Sequence, residues 1–266
     1  MHVADRVYFA LCLGLGRLLR SVRYSKTRIA QHDDGQLYVR KHRSLYAPLL
    51  VWVGDPLVRI LDTGVRVLSQ RDWEERERSI YRSLYRTPIR IDGDGTLVLP
   101  RLRGETLASL LEDPEQAEAA RKKAIELAVV ALAEFHEFGL THGDAMAENV
   151  LVDLEAGAAH WFDFETVHDS SRPIAWRRAD DVRALLATCL VRTVPGKYTE
   201  TVQHILDVYT DKGVTPILAE GFTSVLRRPL TFHLAQAPLS FQCFQEVARL
   251  LRERPGERHG EDLLKP

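Results

Sequence analysis

Apolar residues change their spacing several times along this chain, and the changes mark out its elements. Between residues 26 and 41 two short alternating runs, KTRIA and QLYVRK, flank His32–Gly35, whose Asp34-Gly35 step is a hairpin turn signal. In the second run Leu37, Val39 and Lys41 share one face, and Tyr38 and Arg40 the other. The apolar stretch 45–70, broken by Pro48, Gly54, Pro56 and Gly64, reads as an inserted element. Over 72–86 the spacing becomes helical, with Trp73, Ile80, Tyr81, Leu84 and Tyr85 on one face, Asp72 as N-cap and Pro88 as the stop. A second hairpin, 88–100, turns at Asp92–Gly95. Gly104 and Thr106 then open another helix, with Thr106 as its cap.

The strongest helical period runs from Glu115 to Gly139, through Ala124, Leu127, Ala128, Ala131, Leu132, Phe135 and Phe138. Residues 166–176 read as loop and 178–193 as a helix with Val182, Leu185, Leu186 and Leu190 inward. Further helices are expected over 199–211, 215–228 and 241–253, followed by a polar tail that frays. No internal repeat is visible.

Composition sets the class. The 266 residues are 45% hydrophobic and 27% charged, enough for a sizeable core in one large domain or two lobes sharing a cleft. A formal net charge of −1 supplies no field that would recruit nucleic acid, and no such partner is expected. Cys12, Cys189 and Cys243 are too far apart for a disulfide framework or a zinc spacing, so they read as buried thiols in a reducing, cytoplasmic setting. Charge is uneven only at the start, where Arg6, Arg17, Arg20, Arg23, Lys26 and Arg28 face Asp5 alone. The run VYFALCLGLG between them is too short to span a bilayer and lacks a signal-peptide layout. Two readings of residues 1–30 stay open: a helix packed on the domain, or an amphipathic helix lying on the inner face of an anionic membrane. Leu49–Trp52 is open in the same way, as buried structure or as membrane contact.

The chemistry concentrates between Leu140 and Glu165. His142, Asp144 and Asn149 form the string H-G-D-x-x-x-x-N, and Asp163 follows fourteen residues after Asn149 in D-F-E. Asn149 precedes the apolar run Val150–Val152, and Asp163 follows Trp161-Phe162. A hairpin there would hold one general base and two oxygen ligands of the kind magnesium prefers. Phosphoryl transfer needs such a metal, a positioned nucleophile and little covalent chemistry from the protein. Lys41, an inward lysine at a strand end, needs an anionic partner.

This set resembles the protein-kinase-like phosphotransferases, whose H-x-D-x-x-x-x-N loop is followed by a D-F-G-type metal-binding turn. With Gly143 in second place it is similar to the small atypical members: antibiotic and choline kinases, the atypical kinases linked to tRNA modification, and the lipopolysaccharide kinases acting on Kdo or heptose. It looks most like the last. The resemblance implies an α+β, two-lobed fold. A small N-terminal antiparallel β lobe with one long helix would cover 26–101, and a mainly helical C-terminal lobe 102–254. An amphipathic helix (1–25) and a polar tail (255–266) would flank them.

The resemblance also implies ATP and Mg2+. Asp144 would accept or orient the proton of the attacking hydroxyl, while Asn149 and Asp163 hold the metal. Lys41, in YVRK, matches the family's V-A-I-K lysine on the phosphates, with Arg40 as the register-slip alternative. Glu77 would pair with it, with Glu74 as the alternative. Backbone groups near Pro100, Arg101 and Leu102 would bind adenine. Asp181, or Asp180, would brace the catalytic loop, as would His142; His136 reads as a packed helix residue.

Three departures shape the expectation. No G-x-G-x-x-G precedes Lys41, Glu165 stands where the family has glycine, and Gly143 removes the arginine that answers an activation-loop phosphate. The last two argue against a phosphorylation-switched loop. The expected partner is a hydroxyl-bearing substrate: a sugar or lipid-linked sugar, a protein, or another small molecule. A kinase-shaped binding protein without catalysis is the further alternative.

Overall fold

The computed structural model describes residues 25–31, 37–44, 52, 64–194, 196–211, 213–223 and 241–253. The expected N-terminal helix, the turn of the first hairpin, most of the 45–63 insertion, Cys12 and the tail lie outside the described residues. Of the Leu49–Trp52 stretch, only Trp52 is described, and it is 74% exposed.

The alternating runs form a four-stranded antiparallel sheet in the order β1-β2-β5-β4. β1 (Ser25–Gln31) sets Thr27 opposite Lys41 on β2 (Leu37–Arg43). β5 (Leu97–Pro100) pairs with β2 on one side and with β4 (Arg90–Ile91) on the other. Helix α1 (Gln70–Ser83) buries Trp73, Glu77, Ile80 and Tyr81, the i, i+4, i+7, i+8 stripe of a helix face. Each large apolar side chain sealed in this way contributes roughly 1.5–3 kcal/mol.

The rest is mainly helical. A short strand, β6 (Glu105–Thr106), leads into α2 (Leu107–Glu112), whose N-cap Thr106 accepts from the Ser109 N–H. The central α3 (Glu118–Glu137) is followed by the hairpin of β7 (Val150–Asp153) and β8 (Ala158–Trp161). Helices α4 (Ile174–Val191), α5 (Tyr198–Val208), α6 (Val214–Thr223) and α7 (Phe241–Glu253) complete this body. β6 lies along β7, and Gly104 makes that approach possible. Its φ is +106°, and a Cβ there would sit 2.4 Å from the Val152 carbonyl oxygen. Sheet-then-helix order thus gives the α+β, two-lobed architecture. No described helix is long and apolar enough to cross a membrane.

Several boundaries differ from the sequence reading. Asp72 is not the cap of α1. Ser69 is, accepting from the Asp72 N–H and donating its hydroxyl to the Asp72 carboxylate. α3 begins at Glu118 rather than Glu115, because the Asp113 side chain captures the Glu115 N–H and holds a turn. α4 starts at Ile174, directly after Pro173, four residues before the expected start. Within the expected loop 166–176, β9 (Thr166–His168) pairs antiparallel with β3 (Val65–Val67), the strand just ahead of α1.

Candidate active site

The site begins at Lys41, 5% exposed on β2 beneath the sheet. The alternation that turns Lys41 inward turns Arg40 outward, where it pairs with Asp92 at 2.8 Å. The Lys41 ammonium sits 5.2 Å over the Trp73 ring and 3.4 Å from Glu77 Oε1. Glu77 is 1% exposed. The same oxygen accepts from Trp73 Nε1 at 3.1 Å and from the Phe164 N–H at 3.4 Å. Glu74 instead takes an exposed bond from Gln70.

Two further carboxylates reach the ammonium: Asp163, in direct contact, and Glu165, at 3.1 Å. Burial alone would push Lys41 down, but Asp163, Glu77 and Glu165 outweigh it and hold the group above the usual lysine range. Burial raises Glu77, and the Lys41 charge opposes that only in part.

The H-G-D loop leaves α3 through Gly139, at φ +75°. Asp181 on α4 braces it, its two oxygens accepting from the His142 N–H at 2.7 Å and the Gly143 N–H at 2.9 Å. Asp180 turns away to Arg183 and His168. His136 packs behind Asp181, donating Nε2–H to it at 3.0 Å, with the Tyr209 hydroxyl 2.6 Å from Nδ1.

His142 is fully buried, its ring 5.0 Å from that of Phe164 and 5.4 Å from that of Trp161. Its tautomer follows from its two bonds. Nε2–H donates to the Phe162 carbonyl at 3.0 Å, and Nδ1 accepts the Asp144 N–H at 3.2 Å. A proton on Nδ1 would face that N–H. Burial, the largest influence, pushes the imidazole down to about 4, so it stays neutral.

Asn149 closes the loop. Its Nδ2 donates to the Asp144 carbonyl at 2.8 Å and to Asp144 Oδ2 at 3.0 Å. Those bonds use the amide nitrogen and do not engage the amide oxygen. The β7–β8 register puts Val150 opposite Trp161, and the Phe162 N–H bonds the Asn149 carbonyl at 3.0 Å. Asn149 is thereby held one residue from Asp163. Asp163 has φ +69°, so the left-handed turn falls on the aspartate itself and not on residue 165.

Lys41, Glu77 and Asp163 line the inner end of a cavity of about 420 Å3. Val39, Leu99, Leu151 and Phe162 give it apolar walls, and Pro100, Arg101 and Leu102 form its edge. Pro100 has no N–H, and the Arg101 N–H points to the Leu37 carbonyl at 3.4 Å, so of these three residues Leu102 is the one whose N–H can serve a ligand.

No group of three His, Cys, Asp or Glu side chains suited to a metal ion occurs among the described residues. One amide oxygen and one carboxylate do fit magnesium arriving with phosphate, since that ion takes few protein ligands and fills its octahedron with phosphate and water.

Sequence reasoning missed two participants. Arg76 on α1 donates to the Thr141 carbonyl at 2.6 Å, and Glu165 adds the third carboxylate at Lys41. Glu165 had a signal, since in D-F-E residues 163 and 165 alternate with a core phenylalanine. Arg76 had none, lying inside a charged run.

No family model matches the chain, and neither does any curated protein. Among solved structures it is similar to Rad53 1–466 in complex with AMP-PNP, at TM-score 0.35 and 13% identity, over 86% of this chain and 57% of that one.

Proposed function

We propose that this protein is an ATP-dependent phosphotransferase that moves the γ-phosphoryl group to a hydroxyl. One observation carries the reading: Lys41 meets Asp163 in the lining of an apolar cavity, and the Phe162 N–H bond to the Asn149 carbonyl ties the residue before Asp163 to the loop in which Asn149 holds Asp144. The cavity volume suits a nucleotide. In this reading the adenine lies between Val39, Leu99 and Leu151, with the Leu102 N–H at its edge. Lys41, steered by Glu77, meets the α and β phosphates.

Asn149 and Asp163 would hold Mg2+, which when bound neutralises charge on the β and γ phosphates. Asp144 Oδ2 is fixed by Asn149, so the carboxylate is oriented to receive the proton of the attacking hydroxyl. His142, neutral and bonded to the Asp144 N–H, sets the backbone that carries the base. Asp181 holds the same loop from below.

For the acceptor we infer a sugar or lipid-linked sugar, such as a lipopolysaccharide core, handled on the inner face of the membrane. The basic, apolar residues 1–30 and the exposed Trp52 support this. A protein or other small-molecule acceptor is the alternative. A second reading, a kinase-shaped binding protein without catalysis, draws on the three carboxylates that already occupy Lys41. The deciding experiment is a γ-phosphate transfer screen over sugar, lipid and protein acceptors, with Asp144→Ala as the blank. Transfer to any class that Asp144→Ala abolishes supports the enzyme. Nucleotide binding with no transfer to any class supports the binding protein.

A further inference from the structure

Glu165 does more than replace a glycine. Asp163 and Glu165 aim at one ammonium, while Phe164 between them turns the other way and is fully buried, its ring stacked 5.7 Å from that of Phe135. The Glu165 backbone is pinned, since its carbonyl accepts the Leu68 N–H at 3.1 Å and β9 starts at the next residue. Its side chain is only 13% exposed. The main chain on both sides thus holds residue 165 with its carboxylate toward Lys41, an ion pair in which Oε1 makes no hydrogen bond.

The charges at this point do not balance. One ammonium faces three carboxylates, Glu77, Asp163 and Glu165, so carboxylates outnumber cations where a triphosphate would arrive. A bare triphosphate is repelled by carboxylates there, the well-buried Glu165 among them. If Asp163 turns to a metal ion, Lys41 loses its nearest partner, yet Glu165 and Glu77 remain within reach.

We propose that Glu165 is a positioning residue for Lys41: it retains the ammonium when Asp163 is drawn to the metal, and its charge makes nucleotide binding depend on the divalent cation. This rests on the phosphotransferase reading, and the test separates the two. ATP binding is measured by calorimetry in EDTA and in excess Mg2+, for the wild type, Glu165→Gln and Glu165→Gly, with melting curves to establish folding.

The wild type is expected to bind far more weakly in EDTA than in Mg2+. The neutral variants are expected to gain about tenfold or more in metal-free affinity, which narrows the effect of the metal. Glu165→Asp, which keeps the charge, is expected to retain the wild-type metal dependence, and it carries the test if a neutral variant does not fold. Neutral variants that match the wild type in EDTA overturn the role of Glu165 and leave the phosphotransferase reading standing, as does an Asp variant that loses the metal dependence. A wild type that binds no ATP even with Mg2+ overturns both.

Discussion

Arg76 and Thr141 are joined across the cleft, the guanidinium Nη2 donating to the Thr141 carbonyl at 2.6 Å. The His142 carbonyl lies 3.4 Å from the same nitrogen. The next residue along α1, Glu77, holds Lys41. Two adjacent positions of one helix therefore fix Lys41 and the entrance to the loop that carries Asp144. Burial lowers Arg76 to about 10, against the pull of Asp181 and Glu77, so it remains charged at neutral pH. Arg76→Ala is expected to cost about 1.5–3 kcal/mol, the range for a hydrogen bond to a charged group. Urea denaturation measures that. In steady-state kinetics kcat should fall more than KM for ATP rises, because the tie supports Asp144 and not the cavity.

Asp144 is the proposed base. Asp144→Asn keeps the size of the side chain near the Asn149 amide but removes the acceptor of the hydroxyl proton. Transfer should slow by about 10²–10⁴. Mg2+–nucleotide affinity, read by calorimetry, should stay near the wild-type value. A variant with full transfer would remove Asp144 as the base.

His142 gives the fold a pH dependence of definite sign. Its folded-state value of about 4 lies below the ordinary 6.5, so the unfolded chain takes up a proton that the native state refuses. The associated stability is fully present above pH 6.5 and is lost as pH falls toward 4. The loss from this group is on the order of 2–4 kcal/mol. Asp181, held near 2 by surrounding histidines against the cost of burial, contributes in the same direction only below 3.8. Urea midpoints between pH 7 and 4 should fall in the wild type and flatten in His142→Gln.

Two glycines form a matched pair. Gly143 has φ +86°, and a Cβ there would sit 3.1 Å from the N, Cα and C atoms of Val167 on β9. Gly157 has φ +65° and nothing within 4 Å of its Cβ position. Gly157→Ala should cost only the strain of the left-handed backbone, about 1–2 kcal/mol. Gly143→Ala should cost that and a further ~1–3 kcal/mol for pushing backbone aside. Differential melting of the two variants checks this. An equal cost would mean that β9 yields without resistance.

What the sequence shows of this site follows from how far apart the cooperating residues lie. The H-G-D string, Asn149 and Asp163 were legible because the β7–β8 hairpin joins them through local pairing. Lys41 and Glu77 could be placed by strand alternation and helical period, and the structure brings the two to 3.4 Å. Thr106 was legible as a cap. Ser69 was equally so, since Ser69 and Asp72 have the spacing of a reciprocal cap, yet Asp72 reads just as well alone. The β3–β9 ladder was not legible. Val65 meets His168 across about a hundred residues, and three-residue strands carry too little alternation to announce a partner. Arg76 was hidden for a similar reason, because its acceptor is a backbone carbonyl and no residue type signals one.

That ladder has a mechanical outcome. Beyond the chain link at Arg101–Gly104, the sheet side and the helical side are tied where β3 meets β9, and again by the Arg76–Thr141 and Tyr85–Trp161 bonds. With ties spread along the seam, swivelling about a single flexible link is excluded while they persist.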